Sequence, residues 1–214
     1  SQAAATPWVN IYFYQAVDKC RALGTGYNLM TNAEFQTIAQ NLEFVDANWS
    51  GGARGLGCLM IGNNGFDSDC SYDNAGVDYG SSRDSKAQST LSNGSVLFDI
   101  GGNVAENIRS GYTYSPATGY VGAYDVGWGD KITGTEREFF GPKADDYTLG
   151  CTGDNSDMGQ CGLGFQYIDD AYYFTRGGYY GDTGSDTYYV HQDQGGYASY
   201  MGFRCVYHPD YNDW

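Results

Sequence analysis

The sequence predicts an α+β fold of two helices, small antiparallel sheets and long irregular loops. Three observations predict it. Apolar residues fall at helical spacing only in the N-terminal quarter, short strand-like runs crowd the C-terminal tail, and the stretch between them is rich in glycine and tyrosine without a clear period. Of 214 residues, 32 are Gly and 21 are Tyr, while charged residues make up 17%, so loops and half-wet aromatic surface outweigh regular core. The length suits one domain with a sizeable core. We assign that domain to residues 11–214, with residues 1–10 as a linker or the end of an upstream region.

The first helix is expected from Ile11 to Leu23, with Phe13, Ala16, Val17, Cys20 and Leu23 on its apolar face and Gly24 and Gly26 as its stop. A second opens at Thr31, with Glu34 three residues on as the other half of a capping box, and carries Phe35, Ile38, Ala39 and Leu42 on one face to an end near Glu43. Trp49 to Gly80 alternates Gly, Asn, Ser and Asp with few apolar residues and predicts a long loop region. After the turn Ser92-Asn93-Gly94 comes a strand over Ser95–Ile100, then a turn at Gly101-Gly102-Asn103. Gly111 to Asp130 has no clear period. Strands are expected in the tail at Ala171–Thr175, Tyr179–Tyr180, Thr187–Val190 and Met201–Tyr207.

Acidic groups outnumber basic ones 26 to 11, for a formal charge of -15, which repels nucleic-acid phosphates and removes them as a partner class. A cation, a basic patch or a neutral polymer such as a glycan suits this surface better. The six cysteines contain no Cys-x-x-Cys pair, and there are only two histidines. That pattern favours disulfides over a zinc site. The pairing is open on sequence alone, but the two short spacings favour local loops, giving Cys58–Cys70, Cys151–Cys161 and a long-range Cys20–Cys205 staple. Disulfides imply an oxidising compartment, so the chain is expected to be secreted or at a cell surface. No segment approaches the roughly 20 apolar residues of a membrane span, and no charged leader opens the chain, which reads as a mature protein or an excised domain. Asn48-Trp49-Ser50 and Asn93-Gly94-Ser95 match the glycosylation pattern.

Four segments, taken in order, resemble the formylglycine-generating-enzyme (sulfatase-modifying factor) family and its non-catalytic relatives. They are Leu29-Met30-Thr31-Asn32-Ala33-Glu34-Phe35, Asn48-Trp49-Ser50, Thr90 to Gly94 running into Asp99 to Glu106, and Arg176-Gly177-Gly178 followed by Gly202-Phe203-Arg204-Cys205. The resemblance spans about Ile11 to Tyr207, with Gly111 to Tyr167 poorly covered. It implies a C-type-lectin-like topology with the chain ends close together and a long bridge near both. In the family enzymes two cysteines after the Arg-Gly-Gly element hold copper. Those positions fall on Asp182 and Thr187 here, whose hard oxygens cannot hold Cu(I) through sulfur, so the resemblance implies no copper and no catalysis. It also implies a structural Ca²⁺ ion held by Asp99, Gly102, Val104 and Glu106, oxygen donors of the kind a hard cation takes. The bland alternative is a carboxylate that caps the turn or pairs with Arg109. Where relatives carry tryptophans around the glutamate, this chain has Ala105 and Asn107.

The tail also resembles retroelement-diversified variable proteins and the adhesive tips of bacterial fibres, which favours a bacterial envelope. Those proteins place an irregular polar and aromatic surface before the closing Gly-Phe-Arg-Cys element. The corresponding stretch gives a ligand-binding set of Tyr179, Tyr180, Asp182, Asp186, Tyr188, Tyr189, His191, Asp193, Tyr197 and Tyr200. Tyrosine among short polar residues makes a good recognition surface, because a rigid ring gives contact area at low entropic cost and its hydroxyl gives direction. The expected function is ligand binding or adhesion to a glycan, a cell-envelope polymer or a surface protein of another cell. The bland alternative makes these tyrosines half-buried strand residues. Two rival functions are a glycosidase-like hydrolase using two of Asp182, Asp186 and Asp193, and a structural cap or homotrimeric tip of a larger fibre.

Overall fold

A computed structural model describes residues 7–64, 71–73, 88–109, 113–115, 119–121, 166–167, 173–181, 187–193 and 197–209. The first helix, α1 (Phe13–Arg21), starts at Tyr12, an extended residue whose N–H donates to Gln15 Oε1 at 3.2 Å. It buries Ala16 and Cys20 and half-buries Phe13 and Val17. Lys19 and Arg21 sit in the last turn, where positive charge suits the carbonyl end of a helix. The chain then leaves through Gly24 and Gly26, both at positive φ, a conformation glycine adopts without a side-chain penalty. Leu23 is a correction. Lying beyond the last helical turn, it is 61% exposed instead of continuing the apolar face.

Strand β1 (Tyr27–Leu29) leads into α2 (Asn32–Glu43). The capping box forms as expected: the Glu34 N–H donates to Thr31 Oγ1 at 3.2 Å, and the Thr31 N–H donates to Glu34 Oε2 at 2.8 Å. Phe35, Ala39 and Leu42 are buried and Ile38 packs beside them. The same helix also buries three polar residues, Asn32, Gln36 and Glu43.

A short 3₁₀ turn at Asp46–Asn48 follows. Asn48 is no glycan acceptor, because its side chain is buried and fully used: Nδ2 donates to the Leu42 and Thr90 carbonyls, and Oδ1 accepts from the Thr90 N–H. The expected loop beyond Trp49 contains β2 (Ile61–Asn63) and β3 (Ser71–Asp73), which pair in parallel. Each is only three residues long, Ile-Gly-Asn and Ser-Tyr-Asp, too short for an alternating pattern to stand out. The hairpin of β4 (Gln88–Thr90) and β5 (Val96–Phe98) turns at Gly94, where φ is +82°, with the expected 95–100 strand shortened by the left-handed Asp99.

Next come β6 (Ala105–Ile108), the antiparallel pair β7 (Thr113–Ser115) and β8 (Gly119–Val121), then β9 (Gln166–Tyr167), β10 (Tyr173–Arg176), β11 (Val190–Asp193), β12 (Met201–Phe203) and β13 (Cys205–Tyr207). A five-stranded sheet in the order β12-β6-β10-β11-β9 forms the centre. It is mixed, since β12 runs parallel to β6 and β11 parallel to β9. The expected single strand over 201–207 is two. It breaks at Arg204, after which β13 leaves the central sheet and pairs antiparallel with β1. Tyr179–Tyr180 is no strand, and the strand expected from Thr187 begins only at Val190.

The larger core joins Phe35, Ala39 and Leu42 of α2 to Trp49, Leu59, Ile100, Ile108, Phe174 and Tyr188. A smaller one places Ile11, Ala16 and Cys20 against Leu29. The Cys20–Cys205 disulfide closes that second core across a sequence separation of 185. Cys58 is also disulfide-bonded, and no described cysteine is free. The expected partner Cys70, and the pair Cys151 and Cys161, lie outside the described residues. Among the described residues no helix is long and apolar enough to cross a membrane.

The staple ties the start of the fold to its end, so converting Cys20 and Cys205 together to Ser is expected to lower unfolding free energy by about 2–5 kcal/mol. Urea unfolding of the purified double variant checks this, and an unchanged midpoint would show that the sheet contacts alone hold the termini.

Candidate functional site

Two glycine turns back onto each other beneath the tail. A Cβ on Gly177 would lie 2.4 Å from the Ile100 carbonyl oxygen, and one on Gly102 would lie 2.8 Å from that of Asn63. Both residues have positive φ, so the Arg-Gly-Gly and Gly-Gly-Asn elements are glycine-rich because backbone meets backbone there. The Gly102 N–H donates to the Gly177 carbonyl at 2.6 Å, and the Tyr180 N–H to the Asn103 carbonyl at 3.1 Å. This contact sets where Tyr179 and Tyr180 emerge.

The turn at residues 197–200 is fixed from two sides. The Ala105 N–H of β6 donates to the Tyr200 carbonyl at 2.8 Å, and the Asn10 N–H donates to the Ala198 carbonyl at 3.0 Å. Tyr200 stacks on Tyr179 with ring centroids 4.4 Å apart, and Tyr179 meets Tyr180 edge-on at 5.7 Å. On the other side of the turn, Tyr197 packs against Tyr12 at 5.4 Å, and Tyr12 lies nearly parallel to Tyr14 at 5.6 Å. Tyr197 and Tyr14 are each more than half exposed, and Tyr12 and Tyr200 somewhat less. The structure therefore gathers Tyr179, Tyr180, Tyr197 and Tyr200 of the expected set. It adds Tyr12 and Tyr14, which the sequence reading passed over. The alternation Tyr12-Phe13-Tyr14 at the helix start, with Phe13 turned inward, was the available signal.

Tyr188 and Tyr189 are corrections. They are buried, at 0% and 4% exposure, and cannot present a recognition surface. The Tyr188 ring sits in the main core, and its hydroxyl donates to Glu43 Oε2 at 2.6 Å, while Arg54 Nη2 approaches Glu43 Oε1 at 2.7 Å. A phenol serves the core as well as the surface when its one polar atom finds a buried acceptor. Beside this network Arg176 is fully buried, with Nη2 donating to Gln36 Oε1 at 2.7 Å, Nη1 reaching the Tyr188 carbonyl at 3.4 Å, and its guanidinium 4.8 Å from the Phe35 ring centroid. Burial pushes the Arg176 guanidinium down to about 9, opposed by Tyr188. His191 and Asp193 belong to β11, an interior strand between β10 and β9. Asp182 and Asp186 lie outside the described residues.

Asp99, Gly102 and Val104 lie on the turn that leads into β6, and Glu106 follows on that strand. Glu106 pairs with Arg204, not Arg109. Arg204 Nε lies 3.1 Å from each carboxylate oxygen, and Nη2 also contacts Oε1 and donates to the Phe98 carbonyl at 3.0 Å. Burial holds the Glu106 carboxyl above the usual range against the pull of Arg204. Arg204, although burial works against its charge, is held above its ordinary value by Glu106 and Asp99. A calcium ion at this turn would have to share Glu106 with the Arg204 guanidinium. Among the described residues no group of three or more His, Cys, Asp or Glu side chains is placed to hold a metal.

Thr187, one of the two positions matched to copper ligands, is buried. Comparison with known proteins gives one family: the model of the Sulfatase-modifying factor enzyme 1-like domain matches residues 1–209. No curated protein and no solved structure matches the chain significantly.

Glu106→Gln leaves the half-buried Arg204 without its counter-charge and is expected to cost about 3 kcal/mol in urea unfolding. The loss should be the same with calcium and with chelator. A loss seen only in calcium would make a metal ion, and not Arg204, the partner of Glu106.

Proposed function

The chain belongs to the Sulfatase-modifying factor enzyme 1-like family, and from that premise we propose that it is a non-catalytic member, a secreted or cell-surface module that binds a ligand through the tyrosines around its 197–200 turn. The carrying observation is the grouping of Tyr179, Tyr180, Tyr197 and Tyr200 at one fixed turn, with Tyr197 57% exposed and Tyr200 37% exposed. Rigid rings carrying a hydroxyl at the edge suit recognition at low entropic cost. The ligand class is a glycan, a cell-envelope polymer or a surface protein. Catalysis by the family's copper chemistry lacks its sulfur ligands, because Asp182 and Thr187 stand at those positions. The disulfide Cys20–Cys205 supports an oxidising compartment.

Glycan arrays and pull-downs on cell envelopes test this reading. Tyr197→Ala and Tyr200→Ala are each expected to weaken retention roughly 3- to 10-fold at unchanged melting temperature. Tyr188→Ala should instead cost about 3–5 kcal/mol of stability, as a core deletion does. Retention indifferent to Tyr197 and Tyr200, or copper-dependent oxidation of a peptide thiol by the purified protein, would refute the proposal.

A further inference from the structure

The start of α1 contributes rings that no part of the reading above uses. Tyr12 and Tyr14 are 40% and 58% exposed, their planes are 7° apart at 5.6 Å, and Tyr12 continues to Tyr197 at 5.4 Å. Isolated surface aromatics need no explanation, whereas contiguous ones mark an interaction surface. These rings are also held in place. Phe13 between them packs inward against the Cys20 cluster, Gln15 fixes the Tyr12 backbone, and the Asn10 N–H joins this segment to the Ala198 carbonyl. Little ordering is left for a ligand to impose.

The charge pattern identifies the ligand. The chain carries -15, yet from Pro7 to Val17 and from Tyr197 to Phe203 there is no Asp, Glu, Lys, Arg or His. An acidic polymer is repelled by the whole molecule, and a basic one would find its carboxylates elsewhere. What matches rings that arise from two uncharged segments, with Asp18 and Lys19 the first charges beyond them on α1, is an uncharged ligand that offers apolar faces to rings and hydroxyls to phenols. Sugar rings do both.

We infer that Tyr12 and Tyr14, at the start of α1, together with Tyr197, form a platform for an uncharged polysaccharide. The inference rests on the ligand-binding reading and narrows it to one chemical class.

Affinity electrophoresis of the full chain tests it, in gels containing hydroxyethylcellulose, arabinoxylan, galactomannan or dextran as uncharged polymers and alginate or polygalacturonate as acidic ones. Retardation is expected with at least one uncharged polymer and with neither acidic one. Tyr14→Ala should weaken it roughly 3- to 10-fold at unchanged melting temperature, with Tyr14→Phe retaining most of it. Retardation lost in Tyr200→Ala but untouched in Tyr14→Ala would overturn the α1 platform while the ligand-binding reading stands. Equal retardation by acidic polymers, or none by any uncharged one, would overturn the ligand class, leaving the envelope pull-downs to judge the broader reading. A doubled solution mass that Tyr14→Ala returns to the monomer would make the strip a self-association face and overturn the inference as well.

Discussion

The ion pair between buried Glu106 and half-buried Arg204 is the contact on which the rest of the architecture depends. Glu106 lies on β6, between β10 and β12, and Arg204 stands where the last segment crosses from the central sheet to the pair with β1. The guanidinium also reaches the carbonyls of Phe98 and Asp99, at the end of the β4–β5 hairpin. One side chain therefore joins the middle sheet, the hairpin and the closing strand. Such a pair gains little over an apolar contact, but losing one partner leaves a buried charge. That asymmetry fixes the crossover at Arg204 and, through the Ala105 to Tyr200 hydrogen bond, the height of the 197–200 turn.

A second buried network does the same for α2. Glu43, Tyr188 and Arg54 satisfy one another, and Gln36 with the Tyr188 carbonyl takes up Arg176. These contacts reach across the chain from residue 36 to residue 188. They explain why Gln36 and Glu43 of α2 are buried, since their polar atoms meet Arg176, Tyr188 and Arg54. The same network removes Tyr188 from the recognition surface.

The scaffold thus divides its tyrosines by what surrounds each hydroxyl. Tyr188 has a buried carboxylate and becomes core, whereas Tyr12, Tyr14, Tyr197 and Tyr200 meet water and one another. Family membership supplies the frame, and the ring groups on either side of the 197–200 turn supply a partly exposed aromatic surface. No charged residue interrupts the segments from which Tyr12, Tyr14, Tyr197 and Tyr200 arise, so binding there would draw on stacking and hydroxyl contacts rather than on ion pairs.

By itself the sequence determined what depends on neighbours a few residues apart. The capping box at Thr31 and Glu34, the apolar face of α2, the glycine stop after α1 and the turn at Gly94 all follow from local geometry and appear as read. The α+β class and the staple between Cys20 and Cys205 were legible too, the staple because leaving the short spacings to local loops left those two as the long pair. Only the tertiary structure decided which carboxylate meets which arginine, where the closing strand divides, that residues 61–63 form a strand, and which tyrosines face water. The reason is physical. A tyrosine is apolar along its ring and polar at its tip, so it suits core and surface alike until a distant partner such as Glu43 is brought within reach, and bringing it there takes the whole fold.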